Sequence, residues 1–430
     1  KSMHTWKNLG CWKMSNTQRK NVPELRFPAF EGEWEEKNLG DLTTKIGSGK
    51  TPKGGSENYT NKGIPFLRSQ NIRNGKLNLN DLVYISKDID DEMKNSRTYY
   101  GDVLLNITGA SIGRTAINSI VETHANLNQH VCIIRLKKEY YYIFFGQYLL
   151  SRKGKRKIFL AQSGGSREGL NFKEIANLKI FTPTIFEEQQ KIGQFFSKLD
   201  RQIELEEQKL ELLQQQKKGY MQKIFSQELR FKDENSEDYP NWEEKQLGEV
   251  ADRVIRKNKN LESKKPLTIS GQLGLIDQTE YFSKSVSSKN LGNYTLIKNG
   301  EFAYNKSYSN GYPLGAIKRL TRYESGLLSS LYICFSIKSE MSKDFMEAYF
   351  DSTHWYREVS GIAVEGARNH GLLNISVNDF FNILTKYPSL EEQQKIGSFF
   401  SKFDRQIELE QKKIELLQQR KKDLLKSMFI

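Results

Sequence analysis

Glu187-Glu188-Gln189-Gln190-Lys191-Ile192-Gly193 is written a second time as Glu391-Glu392-Gln393-Gln394-Lys395-Ile396-Gly397, and the correspondence continues to Phe225 and Phe429. About 27 of 39 aligned positions are identical, which marks an internal duplication. Both copies read as helix. In the first, Ile192, Phe196, Leu199, Ile203, Leu210, Leu213, Tyr220 and Ile224 recur mostly at steps of three and four; Ile396, Phe400, Phe403, Ile407, Ile414, Leu417, Leu424 and Met428 occupy the same seam in the second. A helix of this length spans roughly 55 to 60 Å. An isolated heptad segment reads equally well as a solvated helix, but duplication favours pairing of the two copies. Two seam positions are polar in both, Glu206 and Lys217 in the first and Glu410 and Lys421 in the second. An antiparallel pairing that sets Glu206 against Lys421 also sets Lys217 against Glu410, so one register satisfies both interruptions.

Working outward, a shorter repeat precedes each half. Leu25-Arg26-Phe27 leads to Trp34-Glu35-Glu36-Lys37 and Leu39-Gly40, and Leu229-Arg230-Phe231 leads to Trp242-Glu243-Glu244-Lys245 and Leu247-Gly248. Each half therefore runs short repeat, variable stretch, long repeat. The variable stretches, 43–185 and 251–389, share little sequence. Both mix short β-like runs (His130 to Leu136, Leu331 to Ile337) with Gly/Asn/Ser-rich turns and one helix-like segment (Tyr141 to Phe159, Lys343 to Val359). The expected fold class is α+β, with two globular domains separated by two long helices that form an antiparallel coiled coil.

At 430 residues the chain has length for two or three domains, and 37% hydrophobic residues supply their cores. The 66 Lys+Arg against 52 Asp+Glu leave a formal charge of +14, a field that attracts polyanions and favours nucleic acid as a partner. Cys11, Cys132 and Cys334 have neither metal-ligand spacing nor the even count of a disulfide framework, which implies a reduced cytosol. Tyr140 to Leu150, the most apolar stretch, is too short to span a bilayer, so no membrane association is expected. Lys1 to Lys13 has no signal-peptide core, and Met14 reads as a natural start behind a functionless extension.

Gly47-Ser48-Gly49-Lys50-Thr51 superficially suggests a phosphate loop, but Thr44 stands where the leading glycine belongs and Pro52 pushes Thr51 out of the helical region, so a structural turn is expected. No methyltransferase, nuclease or helicase constellation stands out. His4, His124, His130, His354 and His370 lack metal-ligand spacing and read as surface or structural residues. What recurs is a polar and basic set on glycine-rich turns. The first variable stretch offers Arg68 and Asn71, Ser111 and Arg114, Asn128 and Gln129, and Ser166, Arg167 and Asn171. The second offers Lys306, Tyr308 and Asn310, and Arg368, Asn369, His370 and Asn374. Arg suits guanine edges and phosphates, Asn and Gln suit adenine edges, and a single such residue is more often a turn former or phosphate contact than a base reader. The assignment to DNA binding concerns the loops as a set.

The organisation resembles the specificity subunits of type I restriction-modification systems over essentially the whole chain after Met14. The resemblance rests on the Trp-Glu-Glu-Lys-x-Leu-Gly repeat, the Gly49-Lys50-Thr51-Pro52 and Gly63-Ile64-Pro65 segments, and the Glu-Glu-Gln-Gln-Lys-Ile opening of both helices. It implies an N-terminal extension (1–22), a first target-recognition domain (23–185), a first spacer helix (186–227), a second target-recognition domain (228–389) and a second spacer helix (390–430). Each domain would read half of a bipartite asymmetric site in double-stranded DNA. The helices would form the spacer and help dock two modification subunits, which bind S-adenosylmethionine and methylate adenine. Two restriction subunits, using ATP and Mg, would join for cleavage. This chain would supply no cofactor site and no catalytic residue, acting as a non-catalytic cytoplasmic subunit. The second variable stretch lacks the Gly-x-Thr-Pro and Gly-Ile-Pro segments, so its contact positions follow less directly from the resemblance. Two other classes compete: a coiled-coil scaffold with two protein-binding α+β domains, and a self-sufficient methyltransferase or nuclease. A salt titration of DNA binding would discriminate against the first; missing catalytic motifs argue against the second, which methyl transfer by the purified chain alone would revive.

Overall fold

The computed structural model describes residues 13–14, 21–162, 169–271, 273–282, 291–309, 311–365 and 373–430. The chain divides into two compact units, Lys1–Glu207 with Lys413–Ile430, and Gln208–Lys412. In the first unit, Val103–Asn106 pairs with Thr115–Ile117 and with Val131–Leu136, which pairs with Thr43–Ser48, all antiparallel. Strand alternation sends side chains to two different cores. Val103, Leu105, Cys132 and Ile134 pack with Phe144, Phe145, Tyr148 and Leu149 of the helix Tyr142–Leu150. Leu104, Val131 and Ile133 pack with Leu67, Ala125 and Leu127. The latter belong to a second sheet in the order Val83–Ile85, Ile64–Leu67, Ala125–Leu127, Arg97–Thr98, whose central pair is parallel.

The second unit repeats this frame with other residues. Phe302–Asn305 pairs with Ala316–Arg319 and with Tyr332–Ile337, which pairs with Ala251–Arg253. Phe302, Tyr304, Ile333 and Phe335 face the core that holds Phe345, Met346, Tyr349 and Phe350 of Lys343–Asp351, while Ala303 and Cys334 pack with Leu267, Ile269 and Leu275. A further ribbon recurs as well: Glu35–Asn38 with Lys179–Thr182, and Glu243–Gln246 with Leu384–Tyr387. The helix expected over Tyr141 to Phe159 is two helices, because Ser151 turns extended and its hydroxyl accepts from Gly154 N, capping Arg152–Leu160. The segment Lys343 to Val359 is likewise split, into Lys343–Asp351 and Tyr356–Ile362.

The repeats form the frame that carries the variable stretches. Arg26 Nε and Nη2 grip the Glu188 carboxylate at 2.7 and 2.8 Å, and Trp34 Nε1 donates to it at 3.3 Å. Arg230 and Trp242 hold Glu392 in the same way, at 3.2, 2.7 and 3.1 Å. Gln189 Nε2 donates to Pro183 O while its Oε1 accepts from Tyr141 N; Gln393 does the same with Pro388 O and Ser342 N. Gly193 and Gly397 permit close approach, since a Cβ would stand 2.7 Å from the Tyr141 ring or from Phe345 N. Each unit is then closed by an aromatic from the end of the other repeat: Phe429 stacks on Phe196 at 5.8 Å, and Phe225 on Phe400 at 5.9 Å.

The long helices run Phe186–Phe225 and Leu390–Ser427 and touch each other in each unit. Leu199, Ile203 and Leu417 form one apolar cluster in the first unit, and Tyr220 packs on Phe399 and Phe403 in the second. Of the proposed seam residues, Ile192, Phe196, Leu199, Ile203, Ile396, Phe400, Ile414 and Leu417 are buried, and Leu210, Leu213, Phe403 and Ile407 half-buried. The charge register expected from the sequence is corrected. Lys421 pairs with Asp200 (2.5 Å) instead of Glu206, and Lys217 with Asp404 (2.5 Å) instead of Glu410. Glu206 meets Lys413, and Glu410 meets Lys209 at 2.6 Å. The lysines have the reach to leave the seam and take carboxylates on flanking positions.

Candidate nucleic-acid interface

At one end of the first unit's two sheets, the backbone ties five segments together. Lys50 N donates to Leu127 O (2.8 Å), Asn128 N to Leu67 O (3.0 Å), Ile107 N to His130 O (3.0 Å) and Leu170 N to Ile107 O (3.0 Å). The buried Asn106 closes the set, its Nδ2 donating to Ser69 O (2.9 Å) and to Ser111 Oγ (3.1 Å). The turns bearing Arg68, Ser111, Arg114, Asn128, Gln129 and Asn171 are thereby gathered into one cluster.

Within it the proposed residues divide. Asn71 is fully buried: its Oδ1 accepts from Arg68 N and its Nδ2 donates to Asn78 O, which leaves no amide group for a base. Asn128 is buried and accepts from His130 N. Asn171 caps the helix Phe172–Ala176 in a reciprocal box with Glu174. Ser111 is half-buried and engaged by Asn106. Arg68 lies over the Tyr59 ring (5.5 Å) and donates from Nη2 to Asp81 O, so its guanidinium is held in place before any ligand arrives. Gln129 is exposed and Arg114 half-exposed, both with side chains unpaired among the described residues. Lys50 is exposed in the same cluster. A 3-10 turn, Gly55–Asn58, follows Thr51. Ser166 and Arg167 lie outside the described residues.

Other cations nearby are already neutralised. Arg97 pairs with the buried Asp90, which also takes His124 Nε2 and Asn126 Nδ2, and Arg135 is forked onto Asp102 at 2.8 Å. Burial alone would raise the Asp90 carboxyl, but hydrogen bonds from Arg97, Asn126 and His124 outweigh it and hold the group below its usual range. His130 Nδ1 lies 2.6 Å from Thr108 Oγ1, a local contact that orients its turn.

The second unit builds the corresponding place differently. Leu373 N donates to Lys306 O (3.0 Å), the counterpart of the Leu170 to Ile107 bond. Lys306 Nζ donates inward to Ile375 O (3.1 Å), and burial lowers its pKa. Tyr308, 62% exposed, and Asn374 on the ribbon Val364–Glu365 with Leu373–Asn374 stand outward. Asn310, Arg368, Asn369 and His370 lie outside the described residues. Burial pushes the Cys132 and Cys334 thiols up to about 12, and neither cysteine is in a disulfide. Among the described residues no group of three or more His, Cys, Asp or Glu is placed to hold a metal, and no helix is long and apolar enough to cross a membrane.

The same frame recurs in the two units, and in the first it gathers a cluster of loops. The type I restriction modification DNA specificity domain matches residues 31–215, which take in the first module and much of the first long helix. The chain is similar to the specificity subunits of type I restriction-modification systems. It is 26% identical over 249 residues to the putative type I restriction enzyme MjaX specificity subunit of Methanocaldococcus jannaschii, an alignment covering 56% of each chain. With the MjaVIII specificity subunit of that organism it shares 25% identity over 429 residues, 95% of each chain. The EcoBI specificity subunit of Escherichia coli is 31% identical over 144 residues, 32% of this chain and 30% of that one. Among solved structures, the type I restriction-modification S subunit from M. genitalium shares the fold with a TM-score of 0.59 at 17% identity, covering 95% of this chain and 99% of that one.

Proposed function

We propose that this chain selects the DNA target of a type I restriction-modification complex. Its first target-recognition domain (23–185) reads one half-site and its second (228–389) the other, with the spacer helices (186–227 and 390–430) setting the gap of unread base pairs. The observation that carries this reading is the recurrence of one structural frame beneath two loop sets of different sequence. An antiparallel spacer is supported by the ion pairs: Asp200–Lys421 and Asp404–Lys217 are the same pair in the two copies, as are Glu206–Lys413 and Glu410–Lys209. The two domains carry unlike loop sets, so they meet unlike half-sites of the duplex. Two modification subunits bring S-adenosylmethionine and methylate adenine, and two restriction subunits bring ATP and Mg for cleavage, all in the cytoplasm. Half-exposed Arg114 and exposed Gln129 and Lys50 are the foremost contacts of the first domain and Tyr308 and Asn374 those of the second. Buried Asn71 and Asn128 shape the loops.

The test is to exchange residues 251–389 for the second variable stretch of another family member and sequence the methylated sites. One half-site changes and the other persists. Changes in both half-sites would refute division of labour between the domains.

A further inference from the structure

The helix Arg152–Leu160 carries Arg152, Lys153, Lys155, Arg156 and Lys157 and no acidic residue. Two of these cations are spent locally: Lys153 Nζ donates to Phe429 O (2.8 Å), and Lys157 Nζ donates to Lys179 O and lies over the Tyr148 and Phe181 rings. Gly154 and Ile158 form the buried face. Arg152, Lys155 and Arg156 share the opposite face at one-turn spacing, exposed and without a carboxylate partner among the described residues. Three unpaired cations on a rigid helix are placed for a polyanion.

The helix also has a defined place. A Cβ on Gly113 would lie 3.5 Å from Ile158 Cγ2, so the helix packs directly against the turn that presents Arg114. Among the described residues the second unit has no equivalent. There the helix in the same position, Tyr356–Ile362, carries Arg357 beside Glu358 and no other charge.

We infer that Arg152, Lys155 and Arg156 grip the phosphate backbone beside the half-site read by the first domain. This inference rests on the DNA-binding reading above and adds to it a sequence-independent anchor on the first domain. Each phosphate neutralised contributes about 0.9 to the slope of log K against log salt. The experiment uses the full chain assembled with its modification subunits and follows binding of target and non-target duplexes across salt. The triple variant Arg152→Gln, Lys155→Gln, Arg156→Gln should lower the slope by about 2 to 3, and the wild-type advantage should shrink roughly 40-fold between about 50 and 200 mM salt. Target and non-target duplexes should weaken by the same factor, and the methylated sequence should stay the same. An unchanged slope, or a loss confined to the target duplex, overturns the anchor. Intact DNA binding with impaired assembly overturns it too, and assigns the helix, with its exposed Phe159 and Leu160, to a subunit contact. Absence of salt-dependent DNA binding by the wild-type complex is a different result and refutes the underlying DNA-binding reading.

Discussion

Glu188 and Glu392 differ in how well water can stand in for their partners. The Arg26 side chain is 9% exposed and that of Arg230 20%, although both make the same forked contact. Glu188→Gln leaves a guanidinium charge buried without its counterion, an effect of about 3 to 5 kcal/mol, whereas after Glu392→Gln water reaches Arg230 and the loss is smaller. Urea unfolding of the two variants checks the order, and equal losses would refute the role of burial. The sequence displayed Arg26, Trp34 and Glu188 as members of two separate repeats without saying that they meet. Their separation along the chain hides a contact that only the fold makes. The loops posed a different difficulty. An asparagine in a glycine-rich turn suits an adenine edge and suits turn capping equally, and burial decides between them: Asn71 looks inward while Gln129 looks outward. No spacing rule in the sequence separates the two cases.

The long helices were legible as elements because apolar residues at steps of three and four are what a buried seam requires, and Ile192, Phe196, Ile396 and Phe400 are fully covered. Their ionic partners were not legible. Seam position alone does not decide who meets whom, because a lysine side chain bridges more than one turn, and Asp200 also accepts from Gln147 Nε2 at 2.7 Å, which fixes it as a target for Lys421. Lys421→Glu should therefore destabilise the first unit by about 1 to 2 kcal/mol, and adding Asp200→Lys should restore part of that loss. Adding Glu206→Lys instead should worsen it, because Glu206 serves Lys413. Thermal melts of the three variants check this. Rescue by Glu206→Lys and none by Asp200→Lys would refute the observed register.

At the scale of the whole molecule, the variable stretches shared a frame that their sequences concealed, since Val103–Asn106 and Phe302–Asn305 take the same strand position with only the final asparagine in common. Pattern survives where identity does not, and the short β runs pointed to strands without giving their order in the sheet. If the helices set the gap between half-sites, four residues inserted in the middle of Phe186–Phe225 lengthen it by about 6 Å and nearly preserve the facing of the seam. The unread gap should grow by one or two base pairs while both half-site sequences persist. Methylated-site spacing is the readout, and unchanged spacing in a folded, active complex would refute the helices' role in setting the gap.

Phe429 meets Phe196, Trp34, Phe144 and Tyr148 in the core of the first unit, whereas Phe225 does the equivalent work in the second. On the ribosome these two arrivals fall on opposite sides of the domains they complete. Phe225 emerges before the strands it will seal, but Phe429 follows Phe196 by more than half of the chain, a wait of roughly 10 to 50 s at usual rates of synthesis. The half that is made first is the half that is finished last, and until then its aromatic pocket stands open to whatever chaperone or neighbouring nascent chain can fill it.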